Sequence, residues 1–224
     1  MLFLAVFCGF LAEYQLEHVV EHNREKEYVQ SLMEDLKNDQ DILENHIAAV
    51  RKGSSRMDTL ISILNEPATI SSRTGDLYYL VRIAPRLYPL SLNNRTFEQL
   101  KNSGNFRLIR NLKVSNKIMD YYAKYPIIPL LESINETEFT EYKKIVAKIF
   151  DPAEFLRMED GNNGVKRRSD NPLLRSTDKE LIQELSVFAV YMHGSKEGVI
   201  GSSVTLKAAG IELIKFLQDE YHIN

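Results

Sequence analysis

The most regular pattern of apolar and polar positions lies between Leu11 and Lys52. This stretch contains neither Pro nor Gly, and Leu, Glu, Lys and Gln dominate it. Apolar residues recur at alternating spacings of three and four, with Asp39 and His46 at the two intervening positions: Val29, Leu32, Leu36, Leu43 and Val50. This spacing is typical of a helix with one packing face. We therefore predict a long amphipathic helix over residues 15–52, which packs against other helices, a second copy of the chain or an envelope protein.

Cap and stop signals divide the rest of the chain into shorter helices. We predict a second helix that begins at Ser54 or Ser55 and ends at Pro67. Asp151 and Pro152 predict the start of another, because Asp caps helices and Pro suits the first helical position. Further helices are expected over residues 77–83, 94–104, 112–125, 128–150, 177–193 and 203–221. No stretch alternates like a β-strand, so the predicted class is all-α, with a multi-helix bundle over residues 53–224.

The first twelve residues, MLFLAVFCGFLA, contain no charged or strongly polar side chain. A helix on a protein surface has an apolar stripe and a polar face, but this segment has no polar face. It is shorter than the about 20 apolar residues that span a bilayer. Two interpretations follow: a buried core helix, or the C-terminal part of a transmembrane helix that begins upstream of Met1. We favour the second and predict an apolar anchor over residues 1–14, with Tyr14 at the membrane–water boundary.

Composition narrows the function classes. The chain has 224 residues, of which 44% are hydrophobic and 26% are charged, as in ordinary folded proteins. The net charge of −3 gives no electrostatic reason to bind nucleic acid. The single cysteine, Cys8, cannot form an intramolecular disulfide. No Lys or Arg precedes the apolar run and no small-residue cleavage site follows it, so the pattern does not predict a secretory signal.

A short motif after the apolar run has the residue order of one class of zinc metalloproteases. His18, Glu21 and His22 form H-x-x-E-H, which places both histidines on one helix face with the glutamate beside them. A catalytic zinc normally needs three protein ligands, and the candidates for the third are Glu132, Glu136 and His193. We favour a structural interpretation, in which the motif residues are solvated or stacked in an oligomeric seam. Zinc-dependent hydrolysis is the alternative.

The turn sequence SGN separates two predicted helices. Asn94 or Thr96 is expected to cap the first, and Gly104 is expected to end it in the left-handed conformation. Asn105 and Asn111 are expected to hydrogen-bond exposed backbone at this turn. The sequence around the turn lacks the further glycines and the Lys-Ser/Thr pair of a phosphate-binding loop. The turn is therefore interpreted as structural, with recognition of a ligand or partner as the alternative.

The segment TFEQLKNSGNFRLIRNLKVSNKIMDYY, residues 96–122, resembles a block found in a family of bacterial proteins. The family is common in Bacteroidetes and is known as a domain of unknown function. The residues that carry the resemblance are Leu100, Ser103, Gly104, Asn105, Leu108, Ile109, Asn111, Tyr121 and Tyr122. The resemblance implies one N-terminal membrane helix, a charged helix and a helical soluble domain, and it implies no catalytic activity. This chain departs from the family in its shorter membrane segment, its missing basic stretch before that segment and its paired histidines.

These patterns together predict a single-pass membrane protein that is not an enzyme and needs no cofactor. Its role would be that of a scaffold, sensor or interaction module of the bacterial envelope. The segment after the apolar run is mainly acidic, with only Arg24 and Lys26 opposing, so we expect an inner-membrane anchor with the soluble part in the periplasm. A zinc-dependent hydrolase and a soluble helical oligomer, with residues 1–12 buried between subunits, are the alternatives.

Overall fold

The computed structural model describes residues 2–162 and 164–223, and the chain is 77% helical. Within these ranges the backbone forms no β-strand, only an isolated bridge between Glu159 and Val165. The predicted all-α class is therefore confirmed, with a long N-terminal helix that packs against a multi-helix bundle. The helices are α1 (Leu2–Leu64), α2 (Thr74–Ile83), α3 (Arg95–Asn102), α4 (Leu112–Tyr122), α5 (Ile127–Ile149), α6 (Pro152–Arg157) and α7 (Lys179–Tyr221). Two 3₁₀ helices, Ile70–Ser72 and Asn105–Leu108, complete the sequence of elements.

Helix α1 contains the predicted packing face. Asp39 and His46 are buried there together with all five apolar positions of the pattern: Val29, Leu32, Leu36, Leu43 and Val50. The same spacing reaches Glu25, which is buried as well. Because apolar residues three and four apart lie on one helix face, this stripe removes a continuous surface from water. The packing face is therefore confirmed, and it is longer and more polar than an ordinary apolar stripe.

The predicted break between residues 52 and 54 is wrong, because α1 continues to Leu64. Gly53 is buried, and a Cβ atom there would lie 3.4 Å from Cε2 of Tyr88. The glycine therefore leaves room for a neighbouring ring instead of ending the helix. Ser54 does not cap a helix either, since its Oγ donates to Oε1 of Glu197 at 2.6 Å.

The two predicted closing helices are one helix, α7, and the prediction of a break between residues 193 and 203 is wrong. Gly194, Gly198 and Gly201 lie inside this helix. Each glycine lowers helix stability by about 1 kcal/mol relative to Ala. A heptad series of buried residues runs through the glycine region without interruption: Leu185, Met192, Val199, Leu206 and Leu213. Burial of this stripe outweighs the local preference of the glycines, so the helix does not break.

The described residues group into two compact units that interleave along the chain. The first unit combines the chain up to Leu43 with Ser91–Tyr125 and the chain from Leu206 onward. The second combines Glu44–Leu90 with Pro126–Thr205. Helices α1 and α7 each contribute one part to each unit.

The interior of the second unit is an aromatic and aliphatic cluster. Its fully buried members include Met57, Leu60, Tyr78, Tyr142 and Phe150. The ring of Tyr78 meets that of Phe150 edge-on, with centroids 4.9 Å apart, which is a favoured geometry for aromatic pairs. The predicted start of α6 is confirmed here, because Oδ1 of Asp151 accepts from the backbone N–H of Ala153 at 2.8 Å and Pro152 begins the helix.

Candidate functional site at the SGN junction

The SGN junction, residues 103–111, connects α3 to α4 in the first unit. Gly104 has a φ of +69°, so it ends the α3 segment in the predicted left-handed conformation, which Gly adopts without strain. The apolar residues of the family-like block are buried on both sides of this turn: Leu100, Leu108 and Ile109. The backbone of the junction is therefore held by a glycine turn and by side chains that point into the unit.

Two asparagines of the junction tie it to other helices. The Nδ2 group of Asn105 donates to Oη of Tyr28 on α1 at 2.9 Å. The Oδ1 atom of Asn111 accepts from the backbone N–H of Lys113 at 2.9 Å, which caps α4, and its Nδ2 donates to Oε1 of Glu220 at 2.6 Å. The predicted backbone hydrogen bond of Asn111 is confirmed. For Asn105, the side-chain bond in the structure goes to a tyrosine hydroxyl on α1.

Two of the three H-x-x-E-H residues contact the same junction. The guanidinium of Arg110 binds the carboxylate of Glu21 and donates to Nδ1 of His18 at 2.9 Å. The Nε2 atom of His18 lies 3.1 Å from Oη of Tyr14. Since a guanidinium only donates hydrogen bonds, the ring nitrogen of His18 that faces it acts as an acceptor. His18 and Glu21 therefore form a docking point for Arg110.

The other residues of the zinc hypothesis have contacts of their own. The exposed ring of His22 has Nδ1 3.6 Å from Oε2 of Glu25. Among the proposed third ligands, Glu132 accepts from the backbone N–H of Leu90 at 3.3 Å, and Nε2 of His193 lies 3.0 Å from Oδ1 of Asp58; Glu136 is exposed. Within residues 2–162 and 164–223, no group of three or more His, Cys, Asp and Glu side chains is arranged to hold a metal ion.

Glu25 holds the junction and the end of α7 to α1. This carboxylate is buried, and its Oε1 accepts from Oη of Tyr221 at 2.6 Å and from the backbone N–H of Arg110 at 3.3 Å. Burial raises the pKa of Tyr221, and its hydrogen bond to the Glu25 carboxylate raises it further. The spacing of the packing face placed Glu25 on the buried stripe, but it gave no indication of these two partners.

Two aspartates on the same face of α1 organise the segment that leads into α3. Oδ2 of Asp35 accepts from the backbone N–H and from Oγ1 of Thr96, at 3.1 and 2.6 Å. Its Oδ1 accepts from Nδ2 of Asn93 at 2.6 Å, and Oδ1 of Asp39 accepts from the backbone N–H of Asn93 at 2.7 Å. Asn94 occupies the N-cap position of α3, as predicted, but its side chain makes no cap hydrogen bond, and Asp35 accepts the helix N–H of Thr96 instead.

The environment of Asp39 favours its neutral form. Its pKa is raised from 3.8 to about 6. Burial is the largest cause of this rise, the hydrogen bond from Asn93 opposes it, and the neighbouring charge of Asp35 adds to it. A carboxyl group with this pKa changes its charge in a mildly acidic range, so we expect the attachment of α3 to depend on pH. The sequence pattern shows Asp39 only as a polar position in the packing face.

The tyrosines of the family-like block are packing residues. Tyr121 and Tyr122 are buried, and the ring of Tyr122 stacks on Phe97 with centroids 3.9 Å apart. Neither hydroxyl has a hydrogen-bond partner among the residues that the structure describes. Burial raises the pKa of both hydroxyls, and nearby charges add to the rise. These rings therefore fill space beside the aspartate pair.

The predicted anchor is the part of α1 that the rest of the chain does not cover. Every side chain from Phe3 to Glu17 is exposed, whereas Met1 lies outside the described residues. The large apolar side chains that face solvent are Phe3, Leu4, Val6, Phe7, Phe10, Leu11, Tyr14, Leu16, Val19 and Val20. By length and composition alone, α1 contains a window long and apolar enough to cross a membrane, and none of that window is buried within the chain.

Comparison with models of known protein families, with curated proteins and with solved structures finds no match to this chain. The side chains of residues 96–122 contact other helices. Those contacts connect α1, α3, α4 and the end of α7 within the first unit.

Proposed function

We propose that this protein is a single-pass membrane protein whose long helix α1 carries a helical interaction module of the bacterial envelope. The observation that carries the proposal is the uncovered apolar surface from Phe3 to Val20. Monomeric soluble proteins rarely expose apolar patches larger than a few hundred Å², and transfer of such surface out of water is favourable by about 25 cal/mol per Å². A bilayer supplies that apolar environment on all sides of the helix.

Length and boundary residues support the same proposal. Residues 3–12 carry no charge and rise about 15 Å as a helix, roughly half of the about 30 Å hydrocarbon core of a bilayer, as expected for the C-terminal part of a membrane-spanning helix. Tyr14 follows this uncharged stretch, at a position where amphipathic rings favour the membrane interface. Glu13 and Glu17 lie one turn apart beside it, which favours a position close to water for this end.

Orientation follows from the charges after the window. Arg24 and Lys26 are the only Lys or Arg residues between positions 13 and 30, and cytoplasmic flanks are normally rich in Lys and Arg. We therefore propose that the helical units lie in the periplasm and that the anchor lies in the inner membrane. The resemblance of residues 96–122 to an envelope family of unknown function agrees with this orientation.

The module is proposed to act by binding and not by catalysis. Helix α1 continues from the apolar window into the packing face without a break, so the anchor belongs to the same helix that contributes to both units. The contact of Arg110 with His18 and Glu21 gives the H-x-x-E-H residues a structural role at the SGN junction. Such a design suits a scaffold or sensor that associates with another envelope protein through the exposed face of α1.

Alkaline carbonate extraction of membranes from cells that express the gene with its upstream region tests the anchor. We expect the protein to remain in the pellet, and we expect the Phe7→Arg, Phe10→Arg double variant to be released. Leu156→Arg is the matched control, because Leu156 and Phe10 are each 66% exposed, yet Leu156 lies outside the apolar window. Release of the wild-type protein, together with concentration-dependent oligomers, would instead favour a soluble helical oligomer.

Two further measurements are needed. One distinguishes a membrane anchor from a cleaved signal, and the other distinguishes a periplasmic from a cytoplasmic location of the helical units. A mature N-terminus that begins after the apolar window would show that the window is a cleaved signal. A reporter fused to the C-terminus should be active only in its periplasmic form. Activity of the cytoplasmic form alone would contradict the proposed orientation while leaving the anchor intact.

A further inference from the structure

The second unit contains a cavity that the proposed anchor does not involve. Its volume is about 450 Å³, within the roughly 300–1,000 Å³ of small-molecule sites. The apolar part of the wall includes Leu64, Ile70, Leu174 and Ile182. The cavity lies where the end of α1, the start of α2 and the start of α7 meet the segment 171–177.

The segment that closes one side of this cavity is fixed in place without a ligand. Oδ1 of Asn171 accepts from the backbone N–H of Gly75 at 3.2 Å, and Oη of Tyr78 donates to the carbonyl of Leu173 at 3.0 Å. A Cβ atom on Gly75 would lie 2.2 Å from the carbonyl oxygen of Asp170, so only glycine allows this approach. The wall is therefore preformed, which lowers the entropy loss on binding.

One polar atom in the wall has no partner. Thr74 is only 4% exposed, lines the cavity, and its Oγ1 has no hydrogen-bond partner among the described residues. Buried polar groups are nearly always hydrogen-bonded, because an unpaired one is destabilising. This oxygen is buried behind the wall, so a ligand atom would reach it after rotation about χ1 of Thr74 and would then supply the missing partner.

The charged residues around the cavity favour one class of ligand. Lys179 is the only charged residue among the described residues that line the cavity. The neighbouring carboxylate of Asp178 is occupied, because its Oδ1 accepts from the backbone N–H groups of Glu180 and Leu181 at 2.8 and 3.2 Å. The charge of Asp178 thus faces the positive end of the α7 dipole, which leaves Lys179 to attract an anion, while the wall favours an apolar body.

We propose that this cavity binds a small anionic amphiphile, whose apolar body packs on Leu64, Ile70 and Ile182. An oxygen of the ligand hydrogen-bonds to Oγ1 of Thr74, and Lys179 attracts its negative charge. The anchor could be cleaved or absent and this site would be unchanged, since every residue of the cavity lies in the second unit. The site would give the envelope module a ligand to sense.

Titration calorimetry of the full chain in detergent tests the site with 4-phenylbutyrate, a water-soluble anionic amphiphile. We expect saturable binding that Ser71→Trp abolishes, because Ser71 is an exposed residue of the wall and a large ring there fills the cavity. The heat that remains in the titration of Ser71→Trp measures partition of the probe into detergent. Binding that is absent in the wild type, or equal in wild type and Ser71→Trp, would overturn the proposal.

Thr74→Val separates a ligand contact from a folding defect. The valine keeps the shape of the side chain and removes the unpaired hydroxyl, so we expect a higher Tm together with affinity for the probe weakened about 5- to 10-fold. An unchanged affinity would show that Thr74 does not touch the ligand.

Lys179→Glu tests the charge of the ligand. This substitution should weaken the binding of 4-phenylbutyrate and strengthen the binding of the cationic 4-phenylbutylammonium. Tighter binding of the cation than of the anion to the wild type would refute the anionic ligand class.

Discussion

Two stretches of the same helix, α1, are buried by different chemistry. In the first unit the packing face contains three acidic residues, Glu25, Asp35 and Asp39. In the second unit the buried positions near the end of the helix are apolar: Met57, Leu60, Ile63 and Leu64. Apolar burial needs no specific partner, because the hydrophobic effect is not directional. A buried carboxylate is tolerated only where hydrogen-bond donors meet it.

The partners of the acidic stretch explain the difference. The donors come from Asn93, Thr96, Arg110 and Tyr221, which lie at chain segments next to helix ends. Such segments have backbone N–H groups without partners inside a helix. The acidic face of α1 therefore holds connections in place, while its apolar end packs whole helices into a core.

The largest effect should come from the apolar stretch. Leu60→Ala removes a fully buried side chain of the second unit, and we expect a loss of about 2–5 kcal/mol in the free energy of unfolding, because a cavity remains. Urea unfolding followed by circular dichroism measures it. Leu130→Ala, at a residue that is 54% exposed in α5, is the control and should change the free energy by less than about 0.5 kcal/mol. A loss below 1 kcal/mol for Leu60→Ala would contradict the packing described.

The next effect tests the acidic stretch. Asp35→Ala removes the acceptor of three hydrogen bonds, from Asn93 and Thr96, and leaves their donors unpaired. We expect a loss of about 3 kcal/mol in the free energy of unfolding. Asp41→Ala, at an exposed position of the same helix, is the matched control. Equal effects of the two substitutions would show that Asp35 does not hold the start of α3.

Sequence patterns were sufficient for the packing face and for local turns. The spacing from Val29 to Val50 predicted which face of α1 is buried, and Gly104 and Asp151 predicted a helix end and a helix start. These features depend on residues within a few positions of one another. A period of three and four, or a cap, is therefore visible in the sequence.

Long-range partners were not visible in the sequence. Glu25 and Tyr221 are 196 positions apart, and no spacing rule connects them. The helix breaks predicted at Gly53 and near Gly194 are wrong for a related reason. Glycine lowers helix stability only modestly, and burial of other residues of the same helix outweighs this effect. What sequence could have flagged is the series of acidic residues at packing positions, because buried acids require partners.

The stability of Asp39→Asn at different pH values tests the second buried aspartate of the acidic stretch. The folded state keeps the Asp39 carboxyl protonated up to a pKa of about 6, whereas the unfolded chain ionises near 3.8. The unfolded state therefore binds fewer protons between these values, so this group lowers stability as pH rises from 3.8 to 6. We expect Asp39→Asn to raise the free energy of unfolding by roughly 1–2 kcal/mol at pH 7. The gain is less than the full shift implies, because the new amide needs an acceptor.

Urea unfolding at pH 7 and at pH 4 checks this sign. The gain from Asp39→Asn should disappear near pH 4, where aspartate is already neutral in the folded state. Asp41→Asn is the control, because its carboxylate is exposed. A gain that is the same at both pH values would mean that the substitution acts through packing and not through ionisation.

The smallest effect should come from the exposed acid of the same stretch. Glu21 binds Arg110, but both side chains remain partly open to water, with 28% and 49% of their surface exposed. Exposed ion pairs contribute about 0–1 kcal/mol, since water and salt screen them. We therefore expect Glu21→Gln to lower the free energy of unfolding by less than about 1 kcal/mol, and we expect the loss to shrink in 1 M salt. Glu25→Gln, four residues later, should lose clearly more, because its buried carboxylate accepts from Tyr221 and from the Arg110 backbone. If Glu21→Gln were the more damaging change, and zinc content fell with it, the H-x-x-E-H residues would be a metal site and not a docking point for the SGN junction.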